Sequence, residues 1–388
     1  MKIELSKNQS SVIADIISWY QGNKSQYITL GGYAGTGKTT VLGYLGNLLH
    51  KTNHGIRIAY CSYTGKASLV LKKKLLETKS LSQSDYIGTI HSLIYKPVIN
   101  EKGKIIGWTR ISNDDFEYDL IIIDEASMVS KEIWEDLLSF GVRILAVGDH
   151  GQLPPIEGSF NLMGNPVLRL EEIYRQEKNN PIVEISRIAR EYGNIPVKQY
   201  SYTVGKFNRE DEYTRELLNE KLSSYDQNLM VLTGYNRTRI ELNREIRKLL
   251  QFESDKPQIG DRVICLKNNR EEGIYNGMLG SILSISTEGK GHNAYYEARI
   301  KFDAEDEDYF LNIDRSHFNS YLPVSTIIRD INYFDFGYAL TVHKAQGSQC
   351  EKVILFEERF PKMDDNTWRR WLYTGVTRAM FELYIIGK

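Results

Sequence analysis

The sequence predicts an α/β fold, with two parallel-sheet domains that carry smaller β insertions. Short apolar segments alternate with amphipathic segments, in the order expected of strand–helix–strand units. A glycine-rich loop separates the first of these strands from the helix that follows it. Two later apolar strands end in acidic or polar residues, at "IIIDEAS" and "AVGDHGQLPP".

The first part of the chain supplies most of this alternation. "SKNQSSVIADIISWYQG" has apolar residues at helical spacing behind a Ser6 cap. The strand "QYITLGG", the glycine loop and a helix through about Leu49 follow. Next come the strands "IRIAYCSYT", "DLIIIDEAS" and "VRILAVGDHGQLPP", separated by the helices "GKASLVLKKKLLE" and "KEIWEDLLSFG". Open parallel sheets bind ligands at the carboxyl ends of their strands, which is where these motifs fall.

Two segments depart from the alternation. Residues 95–112 predict two short strands around "NEKGK", and therefore a hairpin. Residues 257–322 hold short, alternating strands punctuated by glycine, which are typical of a small β-barrel. The α/β pattern then resumes with "YALTVHKAQG" and "KVILFEE". We assign residues 1–157 to the first domain, residues 158–256 and 323–388 to the second, and residues 257–322 to a barrel inserted in it.

Composition and charge narrow the class of protein. Among 388 residues, 49 basic side chains nearly balance 50 acidic ones, so any polyanion site must be a local basic groove. Cys61, Cys265 and Cys350 are too few and too scattered for a zinc cluster or a disulfide framework, which indicates a reducing compartment. The sequence shows neither a secretion signal nor an apolar span, so we expect a cytoplasmic protein without membrane contact.

The segment "GYAGTGKT", Gly32 to Thr39, fits the phosphate-loop pattern G-x-x-x-x-G-K-[ST]. Its glycines let backbone N–H groups point at phosphates, and the helix N-terminus adds positive potential. We expect Lys38 to reach the β- and γ-phosphates of ATP and the Thr39 hydroxyl to ligate Mg²⁺. A glycine turn without a ligand is disfavoured by the flanking strand and helix. The candidate nucleotide contacts are Gly32, Gly35, Thr36, Gly37, Lys38, Thr39 and Thr40.

Asp124 and Glu125 follow the apolar run "LIII" and place two carboxylates at the end of a strand. An Asp–Glu pair is usually solvated surface, but this one terminates a buried strand downstream of a phosphate loop. One carboxylate, assigned to Asp124, suits the Mg²⁺ shell together with Thr39. Its neighbour Glu125 suits polarising an attacking water. The pair implies hydrolysis of a nucleoside triphosphate rather than phosphoryl transfer to a small molecule.

Three further side chains are candidates for catalysis. Gln152, after the third strand, is suited to holding water or sensing the γ-phosphate, although alone it would pass for a loop residue. Arg175 in "LEEIYRQ" and Arg378 in "YTGVTRA" lie far from the phosphate loop in sequence. An arginine supplied by another domain stabilises transition-state charge and makes hydrolysis depend on domain closure. An isolated arginine is more often a salt-bridging surface residue.

Taken in order, these segments resemble superfamily 1 helicases, specifically the RecD/Dda-like branch (superfamily 1B), over nearly the whole chain. "GYAGTGKT", "IIIDEAS" and "VGDHGQLPPI" match the first three motifs, and "YALTVHKAQGSQ" and "YTGVTRA" match the late ones. The resemblance implies two RecA-like motor domains and identifies the inserted barrel as SH3-like. The further nucleotide-site residues that it implies are Gln9 for adenine, Gln346 and Gly347 for nucleotide contact, and Arg175 and Arg378 as arginine fingers.

The resemblance also implies contacts to single-stranded DNA, where hydroxyls, amides and cations grip phosphate oxygens without reading sequence. One segment departs from the family pattern, because Tyr63 stands where the family has proline; a tyrosine there is able to stack on a base. His91 and His343, taken alone, would be structural histidines. The DNA contacts carried over are Thr64, Lys66, Thr89, His91, Thr341, His343 and Lys344. The hairpin lies where the family carries its strand-separating pin, which makes Trp108 a candidate wedge residue; the alternative is an inert surface excursion.

We therefore expect an ATP-dependent DNA helicase that moves along single-stranded DNA and opens forked duplexes. The resemblance implies 5′-to-3′ movement, a monomeric motor of bacterial or phage origin, and work in replication, repair or recombination beside proteins such as a single-strand-binding protein. The residues also leave open a translocase that strips proteins from single strands, and an RNA-directed relative. A nucleotide-gated binding module without turnover is disfavoured by Asp124 and Glu125.

Overall fold

The structure is a computed structural model, and it describes residues 5–22, 25–99, 105–155, 160–172, 180–269, 272, 274–291, 294–303, 307–320 and 331–388. The chain divides into two units, Met1–Lys178 and Asn179–Lys388. Each unit contains a mainly parallel sheet. The first also contains a two-stranded antiparallel sheet, and the second a five-stranded antiparallel one. Among the described residues, no helix combines the length and the apolar character needed to cross a bilayer.

The first unit alternates strands and helices as the sequence predicts. Its strands are β1 (Tyr27–Gly32), β2 (Ile58–Ser62), β3 (Tyr86–Thr89), β4 (Tyr95–Ile99), β5 (Ile105–Arg110), β6 (Leu120–Asp124), β7 (Arg143–Gly148) and β8 (Leu168–Leu170). Its helices are α1 (Lys7–Gln21), α2 (Lys38–Thr52), α3 (Gly65–Glu77), α4 (Ile90–Ile94) and α5 (Lys131–Leu138). The main sheet has the strand order β3-β2-β6-β7-β1-β8, and its neighbouring strands are parallel.

The central strands of this sheet are buried on both faces. Along β6, Leu120 and Ile122 belong to one apolar core, which includes residues of α1 and α2. The intervening Ile121 and Ile123 belong to a second core on the other face, with residues of α4 and α5. A strand covered on both faces has to be apolar at successive positions, which explains the unbroken run "LIII". The carboxyl edge is therefore where such strands can present polar groups.

The predicted hairpin is present. Strands β4 and β5 are antiparallel and pair from Tyr95 opposite Arg110 to Ile99 opposite Ile105. Residues 100–104, which contain the turn, lie outside the described residues. Trp108 is 43% exposed.

The first sheet extends beyond the boundary at residue 157 that the sequence suggests. Strand β8 pairs in parallel with β1, with Leu30 opposite Leu168 and Gly32 opposite Leu170. The first unit accordingly continues to Lys178. A strand of three residues is too short to show a periodic pattern of apolar residues, so β8 could not be predicted from the sequence.

The second unit combines two kinds of sheet. Its strands are β9 (Lys198–Ser201), β10 (Val204–Asn208), β11 (Leu229–Thr233), β12 (Arg262–Cys265), β13 (Leu279–Glu288), β14 (Tyr295–Phe302), β15 (Asp308–Ile313), β16 (Phe334–Phe336), β17 (Ala339–Thr341), β18 (Cys350–Phe356) and β19 (Ala379–Gly387). Its helices are α6 (Pro181–Tyr192), α7 (Glu212–Ser223), α8 (Asn236–Leu249) and α9 (Asp365–Val376). One sheet has the order β17-β11-β18-β19-β10-β9, parallel except between β10 and β9.

The inserted β segment forms a separate antiparallel sheet with the order β15-β14-β13-β12-β16. It has its own apolar core, which includes Val263, Ile300 and Phe334. Strand β16 pairs with β12 through Val263 and Phe336, so this sheet reaches past residue 322, where the sequence places its end. In the sequence, β16 is separated from the other strands of this sheet. It joins the sheet by pairing with β12.

A buried ion pair joins helix α8 to the beginning of the antiparallel sheet. Arg247 binds Asp261 through two nitrogens, at 2.8 and 2.9 Å, and also donates to the carbonyls of Ser254 and Lys256. The Tyr338 hydroxyl donates to the same carboxylate at 2.8 Å. The arginine and aspartate side chains are 4% and 0% exposed, so each charge depends on the other for its solvation.

Replacement of Arg247 by Ala is expected to lower the free energy of unfolding by about 3–5 kcal/mol, because it leaves the Asp261 carboxylate buried without its counter-charge. Arg237 on the same helix is the matched control. Its side chain is 81% exposed and pairs with Glu241, so Arg237→Ala is expected to cost less than about 1 kcal/mol. Urea denaturation of the two variants measures the difference, and equal losses would contradict the assignment.

Candidate functional site

The loop between β1 and α2 has the backbone of a phosphate cradle. Gly35 and Gly37 adopt φ angles of +83° and +82°, a left-handed conformation that glycine accepts without strain. Gly37 caps α2 without a side-chain hydrogen bond, which leaves the first N–H groups of the helix available to a ligand. The Lys38 ammonium curls back over the loop and donates to the carbonyls of Gly32 at 2.7 Å and Tyr33 at 3.2 Å.

Gln9 lies against this loop. Its side-chain amide donates to the Thr36 carbonyl at 3.2 Å, and its oxygen accepts the N–H of Ser6 at 3.1 Å. A Cβ at Gly37 would collide with the same amide. The Thr36 hydroxyl in turn donates to the Tyr33 carbonyl at 2.9 Å. The structure therefore places Gln9, Thr36 and Gly37 in one packed unit, with helix α1 fixed to the loop.

Asp124 stands at the end of β6, only 9% exposed. Its carboxylate accepts the N–H of Glu125 at 2.9 Å and a hydrogen bond from the Thr39 hydroxyl. Glu125 itself has left-handed backbone angles, φ 55° and ψ 39°, which are uncommon for a residue with a side chain. Its Oε2 atom is buried and makes no hydrogen bond within the described part of the chain.

Burial, together with the neighbouring charge of Glu125, raises the pKa of Asp124 to about 6. Lys38 and the hydrogen bonds from Glu125 and Thr39 act in the opposite direction without cancelling this effect. A carboxylate held in this way favours the approach of a positive charge. Adjacent carboxyl oxygens with a nearby hydroxyl are the donor types that Mg²⁺ prefers.

Gln152 lies in a tight turn after β7 and is 3% exposed. Its backbone N–H donates to the Asp149 carbonyl at 3.2 Å, and its amide donates to the Asp149 carboxylate at 3.4 Å. Asp149 also accepts the N–H of Gly151 at 2.9 Å. Within the same turn, the His150 ring packs on the Tyr33 ring of the phosphate loop, with centroids 4.2 Å apart.

The DNA candidates of the first unit lie at the carboxyl ends of β2 and β3. Thr64 caps α3 by accepting the Ala67 N–H at 3.2 Å, and Thr89 caps α4 by accepting the Ser92 N–H at 3.1 Å. The His91 ring packs on Tyr95, with centroids 5.2 Å apart. The Lys66 side chain lies outside the described residues. Both threonine hydroxyls thus face helix N-termini, where phosphate groups bind readily.

In the second unit, the late-motif residues cluster after β17. The Thr341 hydroxyl accepts the Lys344 N–H at 3.4 Å, and the Gln346 N–H donates to the His343 carbonyl at 3.3 Å. Gly347 has a φ of +73°, and Lys344 is exposed. Burial lowers the pKa of His343 below its usual value, so this histidine is neutral at pH 7.

Arg378 is 2% exposed and anchors this late-motif loop. Its guanidinium donates to the carbonyls of Ser348 at 3.0 Å and Thr374 at 2.9 Å, and to the Thr377 hydroxyl at 3.2 Å. Arg175 falls outside the described residues. Residue 175 also precedes the division after Lys178, so of the two predicted arginine fingers only Arg378 belongs to the second unit.

The sheet order brings the predicted first-unit residues to one edge. Thr89 pairs with Ser62 at the end of β2, and Ser62 pairs with Asp124. Gly148 at the end of β7 pairs with Gly31 at the end of β1. The edge therefore carries the DNA candidates on one side and the nucleotide candidates on the other. A parallel sheet with a phosphate loop and these acidic and amide groups defines a phosphate-loop ATPase.

Comparison with known proteins identifies the family. Residues 4–200 match the AAA domain family, and residues 336–386 match the UvrD-like helicase C-terminal domain. The ATP-dependent RecD2 DNA helicase of Deinococcus radiodurans is 27% identical over 99% of this chain and 49% of its own length. The ATP-dependent DNA helicase dda of Enterobacteria phage T4 is 24% identical over 99% of this chain and 98% of its own. The chain belongs to the superfamily 1B DNA helicases of the RecD/Dda/Pif1 type.

Solved structures agree on the fold. The Pif1 helicase from Bacteroides, in complex with ADP-AlF3 and single-stranded DNA, has a TM-score of 0.57 at 18% identity, covering 99% of this chain and 92% of that one. The chain spans about half the length of the RecD2 relative and nearly all of the phage helicase.

Two features of the site could not be predicted from the sequence. The packing of Gln9 against Gly37 and the ring contact between Tyr33 and His150 both join segments distant in sequence. The adjacency of β1 and β7 would have suggested that the two ring-bearing loops are close. No sequence pattern indicates that the rings are in contact, because the contact depends on the backbone conformations of both loops.

Asp124→Asn is expected to stabilise the nucleotide-free protein by about 1–3 kcal/mol at pH 7.5. The pKa is raised in the folded state, so the unfolded chain loses its proton near pH 4 while the folded chain keeps it until about pH 6. The carboxylate therefore destabilises the fold increasingly as pH rises through that window. An asparagine removes this effect, and its advantage should vanish at pH 4.

Thermal unfolding with EDTA present, at the two pH values, measures the effect. Asp15→Asn, at an exposed position on α1, is the control and should give the same small change at both. A destabilised Asp124→Asn protein at pH 7.5 would contradict the burial of an uncompensated charge.

Proposed function

We propose that this chain is an ATP-dependent helicase that moves 5′-to-3′ along single-stranded DNA and opens duplexes at forks. The observation that supports the proposal is the strand order of the first sheet, because the segments that bear Lys38, Asp124, Gln152, Thr64 and Thr89 follow the carboxyl ends of neighbouring parallel strands. A motor needs its ATP site and its DNA-binding surface on the same edge of one sheet. A conformational change at the ATP site then displaces the residues that bind DNA. Membership of the superfamily 1B helicases supports the same activity.

ATP would be held by the loop from Gly32 to Thr40, with Lys38 exchanging its carbonyl partners for the phosphates. The residues fit Mg²⁺, because the Asp124 carboxylate is buried with a raised pKa and lies in contact with the Thr39 hydroxyl. Thr39 and Asp124 would hold the ion, which supplies positive charge to the phosphates when bound. Glu125 would take a proton from the attacking water through Oε2, and Gln152 would orient that water.

The second unit would complete the site. We assign Arg378 to the γ-phosphate, with Gln346 and Gly347 as further nucleotide contacts, on the match to the late motifs. The hydrogen bond from Arg378 to the Ser348 carbonyl supports this role, since it ties the arginine to the loop that carries Thr341 and Lys344. An arginine that engaged ATP would pull on that loop and so change the grip on DNA. Arg175 is assigned as the other arginine finger on its motif alone.

DNA would be gripped by Thr64, Lys66, Thr89 and His91 in the first unit and by Thr341, His343 and Lys344 in the second. Hydroxyls that cap helices and a neutral histidine bind phosphate and sugar without base preference. Alternating grip by the two units would convert each ATP cycle into a step. The hairpin β4–β5, with Trp108 exposed at 43%, would act as the strand-separating pin.

The parallel sheets would be RecA-like motor domains, and the antiparallel sheet inserted in the second would be an SH3-like module. We propose that the motor works as a monomer in a reducing cytoplasmic compartment, beside replication or repair proteins such as a single-strand-binding protein. A translocase that strips proteins from single strands is the second candidate, because it needs the same motor without the pin.

Lys38→Ala is expected to reduce ATP hydrolysis stimulated by single-stranded DNA by at least ~100-fold, because the γ-phosphate loses its main cation. Unwinding of a forked duplex should fall equally. Lys51→Ala, at the exposed end of α2, should leave both rates unchanged. Unwinding at the normal rate by Lys38→Ala would refute the assigned site.

Polarity and substrate class are tested with tailed duplexes. A duplex with a 5′ single-stranded DNA tail should be opened at least ~10-fold faster than one with a 3′ tail, and RNA tails should support neither opening nor ATP hydrolysis. Opening from the 3′ tail would reverse the proposed direction. ATP hydrolysis on tailed DNA without any opening, but with displacement of streptavidin from a biotinylated end, would favour the translocase.

A further inference from the structure

Two aromatic rings join the phosphate loop to the turn that carries Gln152. The ring centroids of Tyr33 and His150 are 4.2 Å apart and the ring planes are inclined at 42°. We propose that this pair is a positioning contact, which transmits the state of the phosphate loop to Gln152 so that ATP hydrolysis depends on it more than ATP binding does. The inference rests on the proposed function, since it assumes that the loop holds ATP and that Gln152 orients water.

On the loop side, Tyr33 is bound to the residues that must move. Its carbonyl accepts hydrogen bonds from the Lys38 ammonium at 3.2 Å, from the Thr36 N–H at 3.2 Å and from the Thr36 hydroxyl at 2.9 Å. A phosphate that draws the ammonium away removes one of these bonds. Loss of this hydrogen bond changes the position of the Tyr33 backbone, and the Tyr33 ring moves with it.

On the other side, His150 belongs to a turn whose residues are joined to one another by several hydrogen bonds. The Asp149 carboxylate holds both the Gly151 N–H and the Gln152 amide, and the Asp149 carbonyl holds the Gln152 N–H. Asp149 and Gln152 are 0% and 3% exposed, so the turn has little room to deform internally. A push on the His150 ring is therefore passed to Gln152 rather than absorbed.

The end of β1 confines His150 on a second side. A Cβ at Gly31 would lie 2.9 Å from the His150 Nδ1 atom and would collide with Pro166. The absence of a side chain at Gly31 thus allows the turn to approach the strand closely. Tyr33 and His150 are both half-buried and their rings are in contact, so a displacement of the Tyr33 ring acts on a His150 ring that the end of β1 already confines.

Ring contacts of this kind are sensitive to small displacements. Van der Waals attraction falls by a quarter to a half when surfaces separate by about 0.5–1 Å, and ring pairs prefer particular offsets. The contact therefore distinguishes two positions of the loop that differ by a fraction of an ångström. This is the scale on which a water-orienting amide gains or loses its alignment.

The test measures kcat and KM for ATP with saturating oligo(dT), together with affinity for a fluorescent anthraniloyl ADP analogue. Tyr33→Leu, which keeps apolar bulk without a flat ring, and His150→Ala should each lower kcat about tenfold while KM changes less than about threefold. Tyr33→Phe retains the ring and should restore kcat to within about twofold of the native value. Tyr44→Ala, an exposed aromatic on α2, is the matched control and should change neither constant.

The double variant Tyr33→Leu/His150→Ala decides whether the two rings act together. One contact predicts a kcat no lower than that of the single variants, whereas independent effects would multiply to about 100-fold. Multiplied losses, unchanged kcat in the single variants, a low kcat in Tyr33→Phe, or loss of binding to the ADP analogue would each overturn the inference. A native protein that hydrolyses no ATP with oligo(dT) would instead overturn the proposed function itself.

Discussion

The site depends on a negative charge held where water barely reaches. The Asp124 carboxylate lies at the end of a strand that is buried on both faces, beside a second carboxylate and opposite the Lys38 ammonium. Burial and the like charge of Glu125 raise its pKa, whereas Lys38 and the hydrogen bonds from Glu125 and Thr39 stabilise its ionised form. This arrangement makes the fold less stable and the nucleotide site more attractive to positive charge, and the rest of the first unit is organised around it.

The phosphate loop is held by several neighbours rather than by its own sequence alone. Gln9 of α1 donates a hydrogen bond to the loop, and Thr36 and Lys38 donate to carbonyls within it. The Tyr33 ring packs against His150 in the turn after β7. Left-handed backbone at Gly35, Gly37 and Glu125 concentrates unusual conformations at the same edge. The glycines accept this conformation without strain, whereas at Glu125, a residue with a side chain, it is uncommon and persists only where the surrounding packing determines it.

The second unit uses similar means for a different task. The loop after β17 is fixed by backbone hydrogen bonds and by Arg378, which is buried at the end of α9. Its antiparallel sheet is joined to α8 by ion pairs, Arg247 with Asp261 and Arg239 with Asp335, that are almost fully shielded from water. Removal of one partner from a buried pair of this kind is strongly destabilising, because it leaves the other charge buried without compensation.

The sequence by itself determined the α/β alternation, the hairpin at residues 95–112 and the phosphate loop, because apolar periodicity and glycine spacing are local properties of the chain. Motif order was also sufficient to indicate the helicase family. Only the tertiary structure decided that Leu168–Leu170 joins the first sheet, that Phe334–Phe336 completes the antiparallel one, and that Tyr33 meets His150. These are pairings between segments far apart in sequence, and their partners are chosen by backbone hydrogen bonding and side-chain packing across the fold, which leave no periodic trace in either segment.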